Sequence, residues 1–338
     1  RVMQTKTDSL YSCGMKVATF SYREFEVNRH GWNRSGGRIV YKESEVAREG
    51  TNLGYHTLSF EYTPVHEHDI VVFAHCFPYT YNDLEHFLQK KSMRRREVRM
   101  IKLQIGRSIS GLPLYVLRLG DTSKSFENAG VAAVLEAIQN EKAGVHGQAA
   151  FWIDTSIFRD VGIVDSLVET RDFDQLKKQF VIHIIPMVNP DGVFYGNYRT
   201  NLSGHDQTVV GVIPTVAAPE VYYVRKYLSE INRSNPIALI IDPTDIAASN
   251  QLILSRINSF FYGNPSSETN FAENTKIFPL LCSKVNKRIS YQESTFFVSE
   301  DKKNTARVVL HELFPQAHVY TFEASFYGFR REKTYETT

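Results

Sequence analysis

The stretch FVIHIIPMVNPDGV, residues 180–193, decides the fold of this chain. It opens with a continuous apolar run, Phe180–Val188, which is typical of a strand buried on both faces of a parallel sheet. Asn189-Pro190-Asp191-Gly192 then supplies the residues of a good turn. A buried strand that ends in such a turn indicates an α/β domain.

The residues on both sides of this stretch continue the pattern. Arg99–Ile105 and Pro113–Leu119 predict a β-hairpin around Ser110-Gly111. Further strands are predicted at Ala149–Ile157, Ile237–Ile241 and His318–Ala324, and helices at Ala132–Asn140, Gly162–Val168, Pro219–Asn232 and Asn274–Val285. Strands that alternate with helices predict a mixed, mainly parallel sheet covered on both faces.

The first 97 residues have a different character, and most of them favour β structure. Strands are predicted at Lys16–Tyr22, Gly37–Tyr41 and His56–Tyr62, and Ile70–Ala74 is short and apolar enough for a buried strand. A helix follows at Asn82–Gln89, with Asn82 as its expected cap. We therefore predict an N-terminal β domain over residues 1–97 and an α/β domain over residues 98–338, with the second domain not necessarily complete.

Composition excludes several classes of protein. The 338 residues are 42% apolar and 22% charged, which is ordinary for a soluble globular protein. A net charge of +2 does not favour a nucleic-acid partner, and no apolar run reaches the roughly 18 residues of a membrane span. Three scattered cysteines form no disulfide framework and fit a reducing, cytosolic setting. The opening Arg-Val-Met-Gln is expected of a piece of a longer protein.

Several segments, in order along nearly the whole chain, resemble the cytosolic carboxypeptidases, a family of zinc enzymes. They are Phe73–Tyr81 (FAHCFPYTY), Ile185–Val193 (IPMVNPDGV), Gly196–Arg199 (GNYR), Leu202–Gly204 (LSG), Thr305–Val309 (TARVV) and Thr321–Phe326 (TFEASF), with weaker matches at Tyr11–Met15 and Gly31-Trp32. The resemblance implies a β-sandwich domain followed by a carboxypeptidase-like α/β domain. Each motif also has a simpler interpretation: a turn, a surface charge at Glu323 or a structural ion pair at Arg199.

Hydrolysis by such an enzyme needs a zinc ion with three protein ligands and an open position for water. The family takes two ligands from an HPGE segment just after a strand, where this chain has Phe158 and Val161. A rival alignment places Val145-His146-Gly147-Gln148 there, which restores one His but no carboxylate. Either alignment breaks the pair.

The third family ligand is the first His of an Asp-x-His-Gly-His segment at a strand end. Thr244 stands at that position, and Asp245 beside it is expected to be a loop residue. The carboxylate clamp of the family is altered too, because Thr208 replaces its Asn and Val209 replaces its Arg. Arg199, which matches a substrate-binding Arg, and Glu323, which matches the general base, are retained as vestigial site residues.

Two charged segments have open interpretations. A basic run, Lys90, Lys91, Arg94, Arg95 and Arg96, fits either a solvated helix end or a docking site for an acidic partner. His66 and His68, beside Glu67 and Asp69, fit either a polar loop or a metal site.

The sequence leaves three hypotheses about function. The first is a catalytically inactive carboxypeptidase fold that acts as a structural or binding module without a cofactor. The resemblance then implies a tubulin or microtubule partner and a cytoplasmic, cytoskeletal or ciliary location, with no membrane or nucleic-acid partner. The second is an active zinc carboxypeptidase that removes glutamates from acidic tails. The third is that segments absent from the chain hide the real ligands.

Overall fold

The computed structural model describes residues 2–5, 9–47, 54–93, 100–119, 148–152, 180–197, 199–206, 216–245, 259–265 and 269–324. The chain divides into two compact units. The first unit comprises Arg1–Pro78, Asp245–Ser259 and Ser325–Thr338, and the second comprises Tyr79–Thr244 and Phe260–Ala324. The domain boundary expected between residues 97 and 98 stays a prediction.

The first unit is a small β-sandwich. Its elements are β1 (Val2–Thr5), β2 (Val17–Ser21), α1 (Tyr22–Asn28), β3 (Asn33–Ser35), β4 (Gly37–Ala47), β5 (Gly54–Glu61) and β6 (Val71–Ala74). They form two three-stranded sheets with the orders β1-β5-β4 and β3-β2-β6. Val17 of one sheet and Leu58 of the other are each 2% exposed and belong to the same apolar cluster. The two sheets therefore share a core, as the predicted sandwich requires.

The second unit is built around one seven-stranded sheet. Its elements are α2 (Tyr81–Met93), β7 (Met100–Arg107), β8 (Pro113–Leu119), β9 (Gln148–Trp152), β10 (Ile182–Ile185), α3 (Pro190–Tyr195), α4 (Pro219–Ser234), β11 (Ile237–Asp245), β12 (Phe260–Tyr262), α5 (Thr269–Val285), α6 (Ala306–Leu313) and β13 (His318–Ala324). The strand order is β12-β13-β11-β9-β10-β8-β7. Strands β10, β9 and β11 are parallel at the centre, while the β7–β8, β8–β10 and β12–β13 pairs are antiparallel.

Helices cover both faces of this sheet. On one face, Leu84 and Leu88 of α2 pack in the same cluster as Ile182 and Ile184 of β10. On the other face, α4 and α6 pack against residues of β8, β10, β11 and β13. The predicted mixed α/β architecture is confirmed. Among the described helices, none combines the length and the apolar composition that crossing a bilayer requires.

Some local predictions need correction. Helix α2 begins one residue earlier than expected, so Asn82 lies inside it. The cap is Thr80, whose N–H donates to Asp83 Oδ2 at 2.7 Å while Asp83 N–H donates to Thr80 Oγ1 at 3.2 Å. The strand at β6 is not buried, because it is an edge strand and its Phe73 is 42% exposed. The helices predicted at 132–140 and 162–168 lie outside the described residues.

Candidate functional site

The carboxyl ends of the three parallel strands define one edge of the sheet. Ile182–Ile185 of β10 pairs in register with Ala149–Trp152 of β9, and Ile241 of β11 is level with Phe151. The carboxyl ends of β9 and β10 and residue Ile241 of β11 therefore lie at the same edge of the sheet. In open α/β sheets, ligands bind outside this edge, so it is the place to look for the residues that the sequence singled out.

The Asn-Pro-Asp-Gly turn starts helix α3 directly after β10. Asn189 caps the helix, because its Oδ1 accepts from Gly192 N–H at 2.9 Å, and Pro190 occupies the first turn. Gly192 is required here, since a Cβ atom would lie 2.7 Å from the carbonyl oxygen of Thr200. The turn thus allows the following loop to approach the helix closely.

Asp191 ties this turn to the β7–β8 hairpin. Its carboxylate is fully buried and accepts from the Ser108 hydroxyl at 2.5 Å, from Ser110 N–H at 2.9 Å and from the Ser110 hydroxyl. A second fully buried carboxylate, Glu220 at the start of α4, accepts from Ile109 N–H at 3.3 Å. Asp191 is therefore an anchor for backbone and hydroxyl groups, a role that the sequence did not reveal.

Arg199 lies in the loop that follows α3. Its Nε donates to the carboxylate of Asp206, and its side chain is 51% exposed. In the structure Arg199 is therefore an ion-pair partner of Asp206. Its vestigial role in substrate binding stays a prediction.

Glu323 lies near the end of β13, where it is half-buried and opposite Phe260 of β12. It belongs to the same compact unit as Arg199. The expectation that Glu323 and Arg199 face a common cleft stays a prediction, as does the role of Glu323 as a vestigial general base.

A buried arginine supports the segment that follows β12. Arg307, from the TARVV segment, is 5% exposed and donates to the Gly263 carbonyl oxygen and, at 3.0 Å, to Asn264 Oδ1. Burial lowers the pKa of Arg307 to about 10, although the nearby Tyr262 and Asp242 act in the opposite direction. Arg307 remains a cation at neutral pH, and its partners mark it as a structural residue.

The positions implied for zinc ligands carry unsuitable side chains. Strand β11 continues through Thr244 to Asp245, so Asp245 ends a strand and is not the loop residue expected from the sequence. The Phe158 and Val161 positions lie outside the described residues, and neither side chain offers a donor atom to zinc. Within the described ranges, no three His, Cys, Asp or Glu side chains form a group that could hold a metal ion. The side chains at these three positions do not supply the family's zinc ligands, and the absence of a cofactor stays a prediction.

The structure does not favour the rival alignment, which places the ligand segment at Val145-His146-Gly147-Gln148. Gln148 is the first residue of β9, and β9 runs parallel to β10 and β11. The sequence His146-Gly147-Gln148 therefore precedes the strand, while the family's ligand segment follows one. Gln148 starts at the edge of the sheet opposite to the end of β11, which separates it from Thr244.

Of the two remaining charged segments, the basic run is only partly described. Lys90 and Lys91 lie in the last turns of α2, and Arg94, Arg95 and Arg96 lie outside the described residues, so their docking role stays a prediction. His66 contacts Glu24, which also accepts from His30. Its Nε2 lies 2.5 Å from Glu24 Oε2, which makes His66 part of a hydrogen-bonded surface cluster.

Comparisons with known proteins find relatives in sequence and in fold. Residues 84–212 match the zinc carboxypeptidase family. Over 96% of its length the chain is 28% identical to cytosolic carboxypeptidase 3 and 30% identical to cytosolic carboxypeptidase 6, both from Mus musculus, and it spans 31% and 56% of those proteins. A metallo-carboxypeptidase from Burkholderia cenocepacia shares the fold with a TM-score of 0.64 at 17% identity, over 93% of this chain and 72% of that one. Residues 84–212 of this chain therefore match the zinc carboxypeptidase family, and nearly the whole chain is similar in sequence to the cytosolic carboxypeptidases.

Proposed function

We propose that this chain is a catalytically inactive relative of the cytosolic carboxypeptidases and that it acts as a binding or structural module. Its partner is an acidic protein surface, most simply that of tubulin, and its setting is the cytoplasm, at microtubules or cilia. The names of the relatives support the cytosolic setting. The proposal requires no cofactor.

The end of β11 carries this proposal. Resemblance requires a zinc-ligating His at the position of Thr244, in a strand that leads to the ligand edge of the sheet. A neutral threonine hydroxyl does not belong to the Cys, His, Asp and Glu ligand set that proteins use for zinc. Two further replacements, at Phe158 and Val161, would leave the ion without any family ligand.

Loss of the metal removes the chemistry even if Glu323 is retained. A general base assists peptide hydrolysis by taking a proton from a water molecule that the metal has activated. Without that water, a carboxylate at this position has no strong nucleophile to generate. Residues that support the fold, such as Asp191 and Arg307, remain buried and bonded, which supports retention of the domain as a scaffold.

An active zinc carboxypeptidase is the alternative, favoured by the retention of Glu323 and Arg199 at matching motif positions. Such an enzyme would have to assemble an unorthodox metal site. The two proposals differ in zinc content and in the release of glutamate, which makes them separable in one experiment.

The test uses microtubules with polyglutamylated tails and the purified chain, with and without added zinc. We expect no released glutamate, no stoichiometric zinc after dialysis, and co-sedimentation that weakens as salt rises. Changing Lys90, Lys91, Arg94, Arg95 and Arg96 to Gln should reduce that co-sedimentation. Chelator-sensitive glutamate release that Glu323→Gln abolishes would overturn inactivity. Equal co-sedimentation of the Gln variant and the wild type would remove the basic run from the docking site.

A further inference from the structure

Strand β7 forms one edge of the seven-stranded sheet. It runs over Met100–Arg107 and, among the described strands, pairs with β8 alone. In an antiparallel pair, alternate residues direct their N–H and C=O groups to the neighbouring strand, and the residues between them direct theirs away from it. The register with β8 is regular from Met100 to Gln104 and shifts before Gly106. The regular part of this edge is therefore about 17 Å long and presents backbone donors and acceptors to a further strand.

The β7–β8 hairpin carries positive charge and no negative charge. Residues 100–119 include Lys102, Arg107 and Arg118 but no Asp or Glu. Lys102 and Arg107 are exposed, whereas Arg118 is buried. Lys102 Nζ lies 4.5 Å from the centre of the Tyr115 ring, and Arg107 donates to a backbone carbonyl oxygen. These partners are neutral, so both exposed side chains keep their charge.

Helix α2 adds basic residues on the same side of the sheet as Lys102. Lys102 is opposite Leu117 of β8, and cross-strand partners share a face. Leu117 belongs to the apolar cluster to which α2 contributes, and α2 carries Lys90 and Lys91 in its last turns. The acidic Glu85 of α2 accepts from a tyrosine hydroxyl at 2.9 Å. Positive charge therefore predominates on this side of the edge.

An exposed strand edge with cations beside it fits a partner that is both extended and acidic. Resting on the proposed function, we propose that an acidic peptide adds to β7 as a further strand of the sheet. Its backbone pairs with the outward N–H and C=O groups of Met100–Gln104, and its carboxylates on the α2 face meet Lys102. Backbone pairing supplies affinity, and the charges select the sequence. Glutamate side chains repel one another, so such a peptide is extended before it binds and loses less entropy on docking.

The same charges disfavour a second copy of this chain as the occupant. Lysine on an edge strand is a common protection against edge-to-edge association. Pairing of two β7 strands would bring the basic groups of both copies together, and like charges on neighbouring strands are destabilising. A strand that carries carboxylates turns this repulsion into attraction.

The experiment compares two fluorescent hexaglutamate peptides, both blocked at the N- and C-terminus, for binding to the full chain at low salt. One has ordinary peptide bonds. The other is N-methylated at each internal residue, so it keeps every carboxylate but loses the internal backbone donors. We expect the ordinary peptide to bind at least about fivefold more tightly, the effect of losing one or two backbone hydrogen bonds. It should also slow hydrogen exchange in residues 100–107, which the N-methylated peptide should leave unchanged.

A charge reversal on β7 locates the site. Lys102→Glu should weaken binding of the ordinary peptide by about threefold to tenfold at low salt. Lys284→Glu is the matched control, because it changes the net charge equally at an exposed position of α5. Helix α5 packs against β12 and β13, at the opposite edge of the sheet. This control should bind like the wild type, and melting curves establish that both variants fold.

The outcomes separate strand addition from acidic docking in general. Tighter binding of the ordinary peptide together with protection of residues 100–107 supports the inference. Equal binding of the two peptides overturns strand addition and leaves acidic docking intact. Equal weakening by Lys102→Glu and Lys284→Glu, or protection only outside residues 100–107, overturns the placement on β7. A dimer in sedimentation velocity with these residues already protected assigns the edge to a second copy and also overturns it. Binding of neither peptide overturns both the inference and the acidic docking of the proposed function.

Discussion

Asp191 in the α/β unit and Glu24 in the N-terminal unit are two carboxylates with the same number of described donors but different surroundings. Asp191 is fully buried and accepts from the Ser108 hydroxyl and from the N–H and hydroxyl of Ser110. Glu24, with its side chain 22% exposed, accepts from His66, His30 and Asn28. Buried polar networks contribute strongly when every member is satisfied, while exposed ones are screened by water.

The two networks also hold different kinds of structure. Asp191 joins a hairpin turn to the start of α3, and the loop with Arg199 packs back on that helix through Gly192 and Asn197. Glu24 joins side chains at the surface of α1 and its neighbouring loops. We therefore expect that loss of Asp191 disturbs the structure of the candidate site, while loss of Glu24 disturbs only the residues around α1.

The largest effect is predicted for Asp191→Ala. The change leaves the buried Ser108 hydroxyl and the Ser110 N–H without their acceptor, which should lower the free energy of unfolding by about 3 kcal/mol. The chain has two tryptophans, Trp32 in the first unit and Trp152 in β9 of the second. Urea unfolding followed by Trp152 fluorescence in a Trp32→Phe background reports the second unit alone.

The matched control for Asp191→Ala is Asp301→Ala. Asp301 belongs to the same unit, but its side chain is 70% exposed. Its loss should change the free energy of unfolding by no more than about 0.5 kcal/mol. Equal effects of the two substitutions would show that burial does not determine how much these carboxylates contribute to the free energy of unfolding.

The sequence predicted the turn at Asp191 but not its partners. Turn formation depends on neighbouring residues, so Asn189-Pro190-Asp191-Gly192 was sufficient to place it. The donors at Ser108 and Ser110 lie 83 and 81 residues away, and no local pattern announces a contact at that separation. Prediction from pattern therefore gives the strands and turns of this fold and leaves its long-range polar contacts unseen.

The motifs that indicate the candidate site are also local patterns, so they too leave long-range contacts unpredicted. The loss of zinc ligands could be read at Thr244 because a strand end and a motif coincide in the sequence. The extension of β11 to Asp245 could not, because Pro243 favours an earlier end to a strand. The described pairing of β11 with β9 reaches Ile241, four residues before the end of the strand, so it does not account for the extension.

His183 is a second buried polar residue of the α/β unit, and it extends the comparison between buried and exposed groups. His183 in β10 is 1% exposed, and its Nδ1 forms a hydrogen bond of 2.6 Å with the Tyr227 hydroxyl. Burial, with a contribution from Arg118, lowers the pKa of His183 to about 3. The unfolded chain takes up this proton near pH 6.5, so the free energy of unfolding should fall as pH drops from about 6.5 toward 3.

Substitution of His183 by Gln tests this linkage. At pH 7 the free energy of unfolding of the variant should be lower by about 1–2 kcal/mol, because the buried hydrogen bond between position 183 and the Tyr227 hydroxyl is lost. It should also show a weaker loss of stability between pH 6.5 and 3 than the wild type, since the group that titrates on unfolding is gone. Parallel pH profiles for the two proteins would show that His183 is not held neutral by its surroundings.

The smallest effect is predicted at Glu24, and it should appear in a titration more clearly than in unfolding. The hydrogen bond from His66, with those from Asn28 and His30, lowers the pKa of Glu24 to about 2 from its ordinary 4.5. A carboxyl group with a lowered folded pKa stabilises the fold above its unfolded pKa, and this contribution disappears as pH falls from about 4.5 to 2.

Carboxyl NMR shifts should give a pKa near 2 for Glu24 in the wild type and a higher one in His66→Gln. His68→Gln is the matched control, since His68 neighbours the cluster in sequence but makes none of the three described bonds to Glu24. An unchanged pKa in His66→Gln would mean that the short contact does not persist in solution, and the parallel drawn with Asp191 would then fail.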